Sequence, residues 1–222
     1  MGRDEQHDVK IRPLGAPGDL GWVVMAHGEL YAAEFGWDTS FEALVAQIVA
    51  DYAQQTDRAH NAAWIAELED QRVGCVFCVS TDDPGVAKLR ILLVNSRARG
   101  HATGSRLVAT AIDFATDAGY LRMQLWTNHP LTAARRIYLQ HGFSLINEEH
   151  HHSFGVDLIG QTYQRDLSPT EPVRQSERPG HSLARTRIGR TAGQTSDDVS
   201  ASAWSAGASV SSISRGALGN RP

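Results

Sequence analysis

The strongest periodic signal runs from Phe41 to Tyr52. There Phe41, Leu44, Val45, Ile48, Val49 and Tyr52 recur at the three-to-four-residue spacing of one helix face. Thr39, followed three residues later by Glu42, supplies a capping-box start for that helix. Asp19 is read as the cap of an earlier helix through Trp22, Val23, Met25, Leu30, Tyr31 and Phe35, stopped at Gly36. Before it, Val9–Pro13 alternates as a short strand. Ala63–Glu69 and Val73–Val79 flank Asp70-Gln-Arg and predict a hairpin. A third strand, Ala87–Val94, follows a Pro-Gly turn. A basic loop of small residues, Asn95 to Gly104, then leads into a helix over Ser105–Gly119. A strand at Leu121–Thr127 comes next, then a helix through Ala133, Ile137 and Tyr138 that stops at Gly142. Two last strands fit at Ser144–Glu149 and Gln161–Arg165. The order β, α, α, β, β, β, α, β, α, β, β predicts an α+β, or mixed α/β, domain with a central sheet.

Charge divides the 222 residues unevenly. Residues 1–166 hold fourteen basic and twenty-one acidic residues, net −7, whereas 167–222 hold seven and four, net +3. The second stretch has eleven serines, one aromatic residue (Trp204) and no sustained period. Such a chain buries too little apolar surface to offset its ordering entropy. We therefore expect an N-terminal extension at 1–8, a folded domain at 9–166 and a disordered Arg/Ser/Gly-rich tail at 167–222. No apolar run reaches the roughly 18 residues of a membrane span, and the polar N-terminus is unlike a signal peptide. The expected location is the cytoplasm, and the acidic balance argues against direct nucleic-acid binding.

Cys75 and Cys78 have the spacing of a redox or metal motif. On a strand, however, positions i and i+3 point to opposite faces, so the two sulfurs are expected to be structural.

The chemistry gathers where the third strand meets the next helix. Arg97-Ala-Arg-Gly-His-Ala-Thr-Gly104 places small residues and two cations at a helix N-terminus, where backbone N–H groups receive anions. A triphosphate loop would end in Gly-Lys-Ser/Thr, and Gly104-Ser-Arg lacks the lysine. A dinucleotide site would come early in a parallel βαβ unit and place an acid on the next strand, where Arg122 and Gln124 stand instead.

Residues 9–166 resemble the GNAT superfamily of acyl-CoA-dependent N-acyltransferases. The family's pyrophosphate loop, Gln/Arg-x-x-Gly-x-Gly/Ala, corresponds to Arg99-Gly-His-Ala-Thr-Gly104, with Ala102 in place of the first glycine. A second signature corresponds to Asn128 followed by Ala133-Ala-Arg-Arg-Ile-Tyr138-Leu-Gln-His-Gly142-Phe143. More narrowly, Gly18–Trp37 and His151–Gly155 with Leu158–Gln161 resemble the acetyltransferase half of proteins that carry a MarR-type winged helix. About eight residues precede the first strand, too few for such a helix, so DNA binding is not carried over.

The resemblance implies a mostly antiparallel central sheet flanked by helices, and transfer of acetyl from acetyl-CoA, as co-substrate, to a primary amine of a small molecule or peptide. It implies that backbone groups of Leu92 and Val94 hold the pantetheine arm. Arg99, Gly100, His101, Ala102, Thr103 and Gly104 would surround the pyrophosphate, Asn128 would contact the arm, and Tyr138 would protonate the leaving thiolate. Glu34 is the candidate base, with His151 and His152 as alternatives. The His150-His-His152 run resembles a metal tract, but no other ligand cluster accompanies it, so no metal is expected. The acidic domain suits a cationic amine or a peptide amine, and a homodimer is compatible with the fold. A non-catalytic acyl-CoA-binding regulatory module is the competing reading.

Overall fold

The computed structural model describes residues 8–167. The expected N-terminal extension (apart from Asp8) and the expected tail (apart from Leu167) lie outside the described residues. The elements are β1 (Lys10–Pro13), α1 (Asp19–Phe35), α2 (Thr39–Gln54), β2 (Ala62–Leu68), β3 (Gln71–Ser80), β4 (Val86–Val94), α3 (Thr103–Asp117), β5 (Arg122–Asn128), α4 (Thr132–Gln140), β6 (Ser144–Ser153) and β7 (Val156–Asp166). A single 3-10 turn, Ser96–Ala98, lies between β4 and α3. Seven strands form one mixed sheet in the order β1-β2-β3-β4-β5-β7-β6. Every pairing is antiparallel except β4 with β5.

Strand alternation sorts the side chains into two cores. Val76, Cys78, Leu89, Met123 and Leu125 pack with Leu107, Val108 and Ala111 of α3 and with Tyr138 of α4. Cys75, Phe77 and Leu93 face the other way, against Val23 of α1 and Phe41, Val45 and Val49 of α2. The two cysteines are thus buried on opposite faces, as parity requires. Leu167 is buried too, its N–H bonding the Leu121 carbonyl at 2.9 Å.

Two predicted caps take other roles. Gly18, in the left-handed region at φ 87°, is the N-cap of α1. The Asp19 carboxylate is instead fully buried between Arg12 (2.7 Å) and Arg72 (2.7 Å) and accepts the Gly15 and Ala16 N–H groups. Arg12, the largest influence, holds that carboxyl well below the usual range. The N-cap of α2 is Asp38, one residue before Thr39, and it accepts the Ser40 N–H at 2.9 Å. The hairpin turns on Glu69 and Asp70, both left-handed (φ 52° and 59°), as a two-residue turn between twisted strands demands. β6 and β7 extend beyond their predicted ends, because β6 is an edge strand largely exposed on both faces and carries β7 along as its partner. Among the described residues no helix is long and apolar enough to cross a membrane.

Candidate active site

β4 and β5 run together from Val86 opposite Arg122 to Leu89 opposite Leu125, and then part. Both strands continue, β4 to Val94 and β5 to Asn128, so a wedge opens inside the sheet. Its cause lies in β4. Cys75 faces Leu93 whereas Phe77 faces Arg90, so β4 carries an extra residue here, and Ile91 takes φ 41°. Beyond the bulge, the Asn95 N–H bonds the Val73 carbonyl at 2.7 Å. Antiparallel alternation then turns Asn95 and Leu93 toward β3, and the peptide groups of Leu92 and Val94 toward the wedge. These are the two residues the sequence singled out.

At the far end of β4 the chain passes through the 3-10 turn and enters α3. Gly100 (φ 89°) and Ala102 (φ 53°) both adopt the left-handed conformation, and Ala102 is the N-cap. The first-turn N–H groups of α3 have no intrahelical acceptor. Thr103 is buried and uses its hydroxyl to hold the Ala98 carbonyl at 3.2 Å. Gly104 lies against α4, where a Cβ would come within 2.6 Å of Ile137 Cδ1. Its missing side chain lets the loop close on that helix. His101 stands exposed on the loop. Arg97 pairs with Glu69 at 3.8 Å, and Arg99 with Glu34 of α1. The structure thus joins two residues assigned separate duties from the sequence, the candidate base and a loop cation.

Asn128 is buried at the end of β5, with its Oδ1 2.9 Å from His151 Nε2. His151 Nδ1 lies 2.9 Å from the Ser153 hydroxyl. The carbonyl oxygen takes the proton on Nε2, which leaves Nδ1 to accept from Ser153. The Trp126 ring lies 5.4 Å from that of His151 and over Gly160, where a Cβ would come within 2.9 Å of the indole. Register places Trp126, Asn128, Gly160 and His151 on the sheet face that also carries α1 and α2, so they floor one side of the wedge. The link between Asn128 and His151 spans 23 residues and leaves no local signal in sequence.

Tyr138 enters from the opposite face. Its ring is buried between Phe143 (6.0 Å) and Tyr163 (6.4 Å). Burial first, and then the nearby Tyr31 phenol, push its own phenol up, so it stays protonated. Tyr31 belongs to α1 on the other side of the sheet, so the two phenols influence each other across it. His27 of α1 was missed in the sequence. It is wholly buried beside the bulge, Nδ1–H donating to the Val23 carbonyl at 2.8 Å and Nε2 near the Ile91 peptide without a hydrogen bond. Among the described residues no group of three His, Cys, Asp or Glu could hold a metal ion. In the histidine run, His151 serves Asn128, and His152 pairs with Asp157 at 2.7 Å.

The wedge, the left-handed loop and the open helix terminus fit a ligand with an extended polar arm and a diphosphate. Solved acetyltransferases share the architecture. One from Staphylococcus aureus superposes with a TM-score of 0.61 at 16% identity, covering 72% of this chain and 99% of that one. One from Salmonella typhimurium, solved with its cofactor acetyl-CoA, gives 0.60 at 16%, covering 76% and 99%. Among curated proteins, rat N-acetyltransferase 8F1 is 33% identical over 99 residues, 43% of this chain and 45% of its own length. Zebrafish N-acetylaspartate synthetase is 31% identical over 111 residues, 50% of this chain and 38% of its own. The chain thus spans less than half the length of these curated relatives. The sequence profile of the acetyltransferase (GNAT) family matches residues 27–143, just over half of the chain and the whole stretch from α1 through the wedge and loop to Phe143, so the chain belongs to that family.

Proposed function

We propose that the chain transfers the acetyl group of acetyl-CoA to a primary amine of a small molecule or peptide. The carrying observation is the wedge between β4 and β5, with the peptide groups of Leu92 and Val94 on one wall and the open N-terminus of α3 at its end. In this reading Leu92 and Val94 pair with the amides of the pantetheine arm. Backbone N–H groups from Gly100 to Gly104 hold the diphosphate, with Arg99 beside it. Asn128 closes the arm's other flank.

The amine nitrogen attacks the thioester carbon, a C–N bond forms and the C–S bond breaks. Tyr138 gives its proton to the departing thiolate, and burial keeps that proton in place until then. The Ser153 hydroxyl takes the ammonium proton and passes its own to His151 Nδ1, while Asn128 Oδ1 accepts from Nε2–H and supports the imidazolium. Glu34 enters as the partner that orients Arg99. The narrower resemblance to acetyltransferase domains of MarR-type fusions brings no DNA binding into this reading. The zebrafish relative is named for aspartate, which places that amino acid in the amine panel.

The test is thiol release from acetyl-CoA with a panel of amines, alongside Tyr138→Phe. Turnover with at least one amine, and a kcat lowered roughly 10²- to 10⁴-fold in the variant at similar KM for acetyl-CoA, are expected. CoA binding without turnover for any amine would establish the non-catalytic module instead.

A further inference from the structure

Lys88 and Arg90 stand at alternate positions of β4, on the same sheet face as Trp126 and His151. Lys88 registers with Val79 on one side and Gln124 on the other, and Arg90 with Phe77. Arg90 is the first residue of β4 past its last pairing with β5, at the apex of the wedge, and Trp126 is its counterpart on β5. Both cations are half-buried. Among the described residues neither makes an ion pair or a side-chain hydrogen bond. The one carboxylate whose charge reaches Arg90 is that of Asp51 on α2. Gln124 directs its amide at Gln164 (2.8 Å). On the same face of the neighbouring strands, Asp166 of β7 lies two strands away, opposite the Val86–Arg122 pairing, and Glu149 of β6 three strands away, roughly 10 and 14 Å by strand spacing alone. Two like charges thus sit together, partly stripped of water, at the closed end of the wedge. Burial disfavours both charged forms; the Arg90 charge adds to the cost at Lys88, Asp51 eases it at Arg90, and an anion placed between the two cations offsets the burial of both.

We propose that Lys88 and Arg90 form a carboxylate-recognition subsite on the acceptor side of the wedge, so the amine acceptor carries a free carboxylate, as an amino acid does. This rests on the acetyltransferase reading and narrows its acceptor. Arg90 supplies a planar fork matched to a carboxylate, and Lys88 a point charge one strand repeat away. The amino group of such an acceptor then lies near Trp126 and Asn128, within reach of the wedge. The domain's net acidity favours cations at a distance, and the local pair overrides it at the site.

The full chain, saturated with CoA, is titrated calorimetrically with aspartate, with phenylalanine and with the methyl ester of each, and the same four amines are assayed for thiol release with acetyl-CoA. At least one free acid is expected to bind 10-fold or more tightly than its ester. Arg90→Ala and Lys88→Ala should raise the KM for that acid by about 10–100-fold more than for its ester, about 1.4 kcal/mol per tenfold. Arg90→Lys and Lys88→Arg should retain part of the preference. Arg90→Gln and Lys88→Met keep side-chain bulk, and retained CoA binding shows that they fold. Equal binding of acid and ester, or equal losses for both, overturns the subsite, even if simple amines are acetylated. Acid-selective binding without thiol release keeps the subsite and overturns the acetyltransferase reading.

Discussion

Glu34 on α1 and Arg99 on the loop before α3 form an ion pair across 65 residues of sequence. The pair ties the helix beside the acceptor face to the loop assigned to the diphosphate. Arg99→Ala is expected to raise the KM for acetyl-CoA roughly 10-fold, through loss of a charge-assisted contact. Glu34→Gln should shift the same KM less and leave kcat within about 3-fold, since a positioning role needs no proton transfer. A kcat fall of 10²-fold or more at unchanged KM would return Glu34 to the role of base.

Ala102 holds a left-handed conformation that glycine adopts without a Cβ clash. The clash costs roughly 1–2 kcal/mol, and glycine's extra unfolded-state freedom takes back about half of that. Ala102→Gly should therefore raise Tm by about 1–4 °C in a thermal scan. Ala102→Val should lower Tm and weaken acetyl-CoA binding, as a β-branched residue strains the N-cap further.

Burial holds the His27 pKa down to about 4, against an ordinary value of 6.5. Between those values the unfolded chain binds a proton that the folded chain refuses. Stability is therefore full above pH 6.5 and falls as pH drops toward 4, by roughly 2–4 kcal/mol in total. Urea midpoints measured from pH 7 to pH 4 should show this slope. His27→Phe, which keeps the ring stacking near Tyr31 and Phe41, should flatten it. An unchanged slope in that variant would place the titration elsewhere.

Gly160 gives the Trp126 indole its seat. Gly160→Ala should push the indole off the floor and raise the KM for the amine roughly 10-fold. The KM for acetyl-CoA should hardly move, because the wedge wall at Leu92 and Val94 lies on the other strand. Equal increases in both constants would mean that the substitution disturbs the sheet itself.

The helices and the loop were legible because their signals are local. The Phe41–Tyr52 stripe is one-sided, and α2 covers it end to end. Arg99–Gly104 runs from the end of the 3-10 turn after β4 into the first turn of α3, a short local connection. Asp19 was misread because a carboxylate before an apolar run is ordinarily a cap, whereas its partners Arg12 and Arg72 arrive from two strands. Thr39 was read one residue late because Asp38 competes for the same N–H groups and carries the charge. β6 was read short because an edge strand exposed on both faces shows no apolar alternation. Lys88 and Arg90 alternate with apolar residues along β4, and only the assembled fold shows that both are half-buried. The Asn128–His151 and Glu34–Arg99 pairs were invisible, since each is made by the sheet or by helix docking rather than by neighbours in sequence.

Cys75 and Cys78, placed on opposite faces of β3, are the only sulfhydryls in the chain. Burial pushes both thiols up, Cys78 to about 12, so neither supplies a thiolate at neutral pH. In the proposed reaction neither buried, protonated sulfur competes with the amine for the acyl group. The same burial turns the two residues into paired reporters. A thiol reagent reaches one when the α1–α2 layer lifts and the other when the α3–α4 layer lifts, so the two labelling rates compare the opening of the two layers.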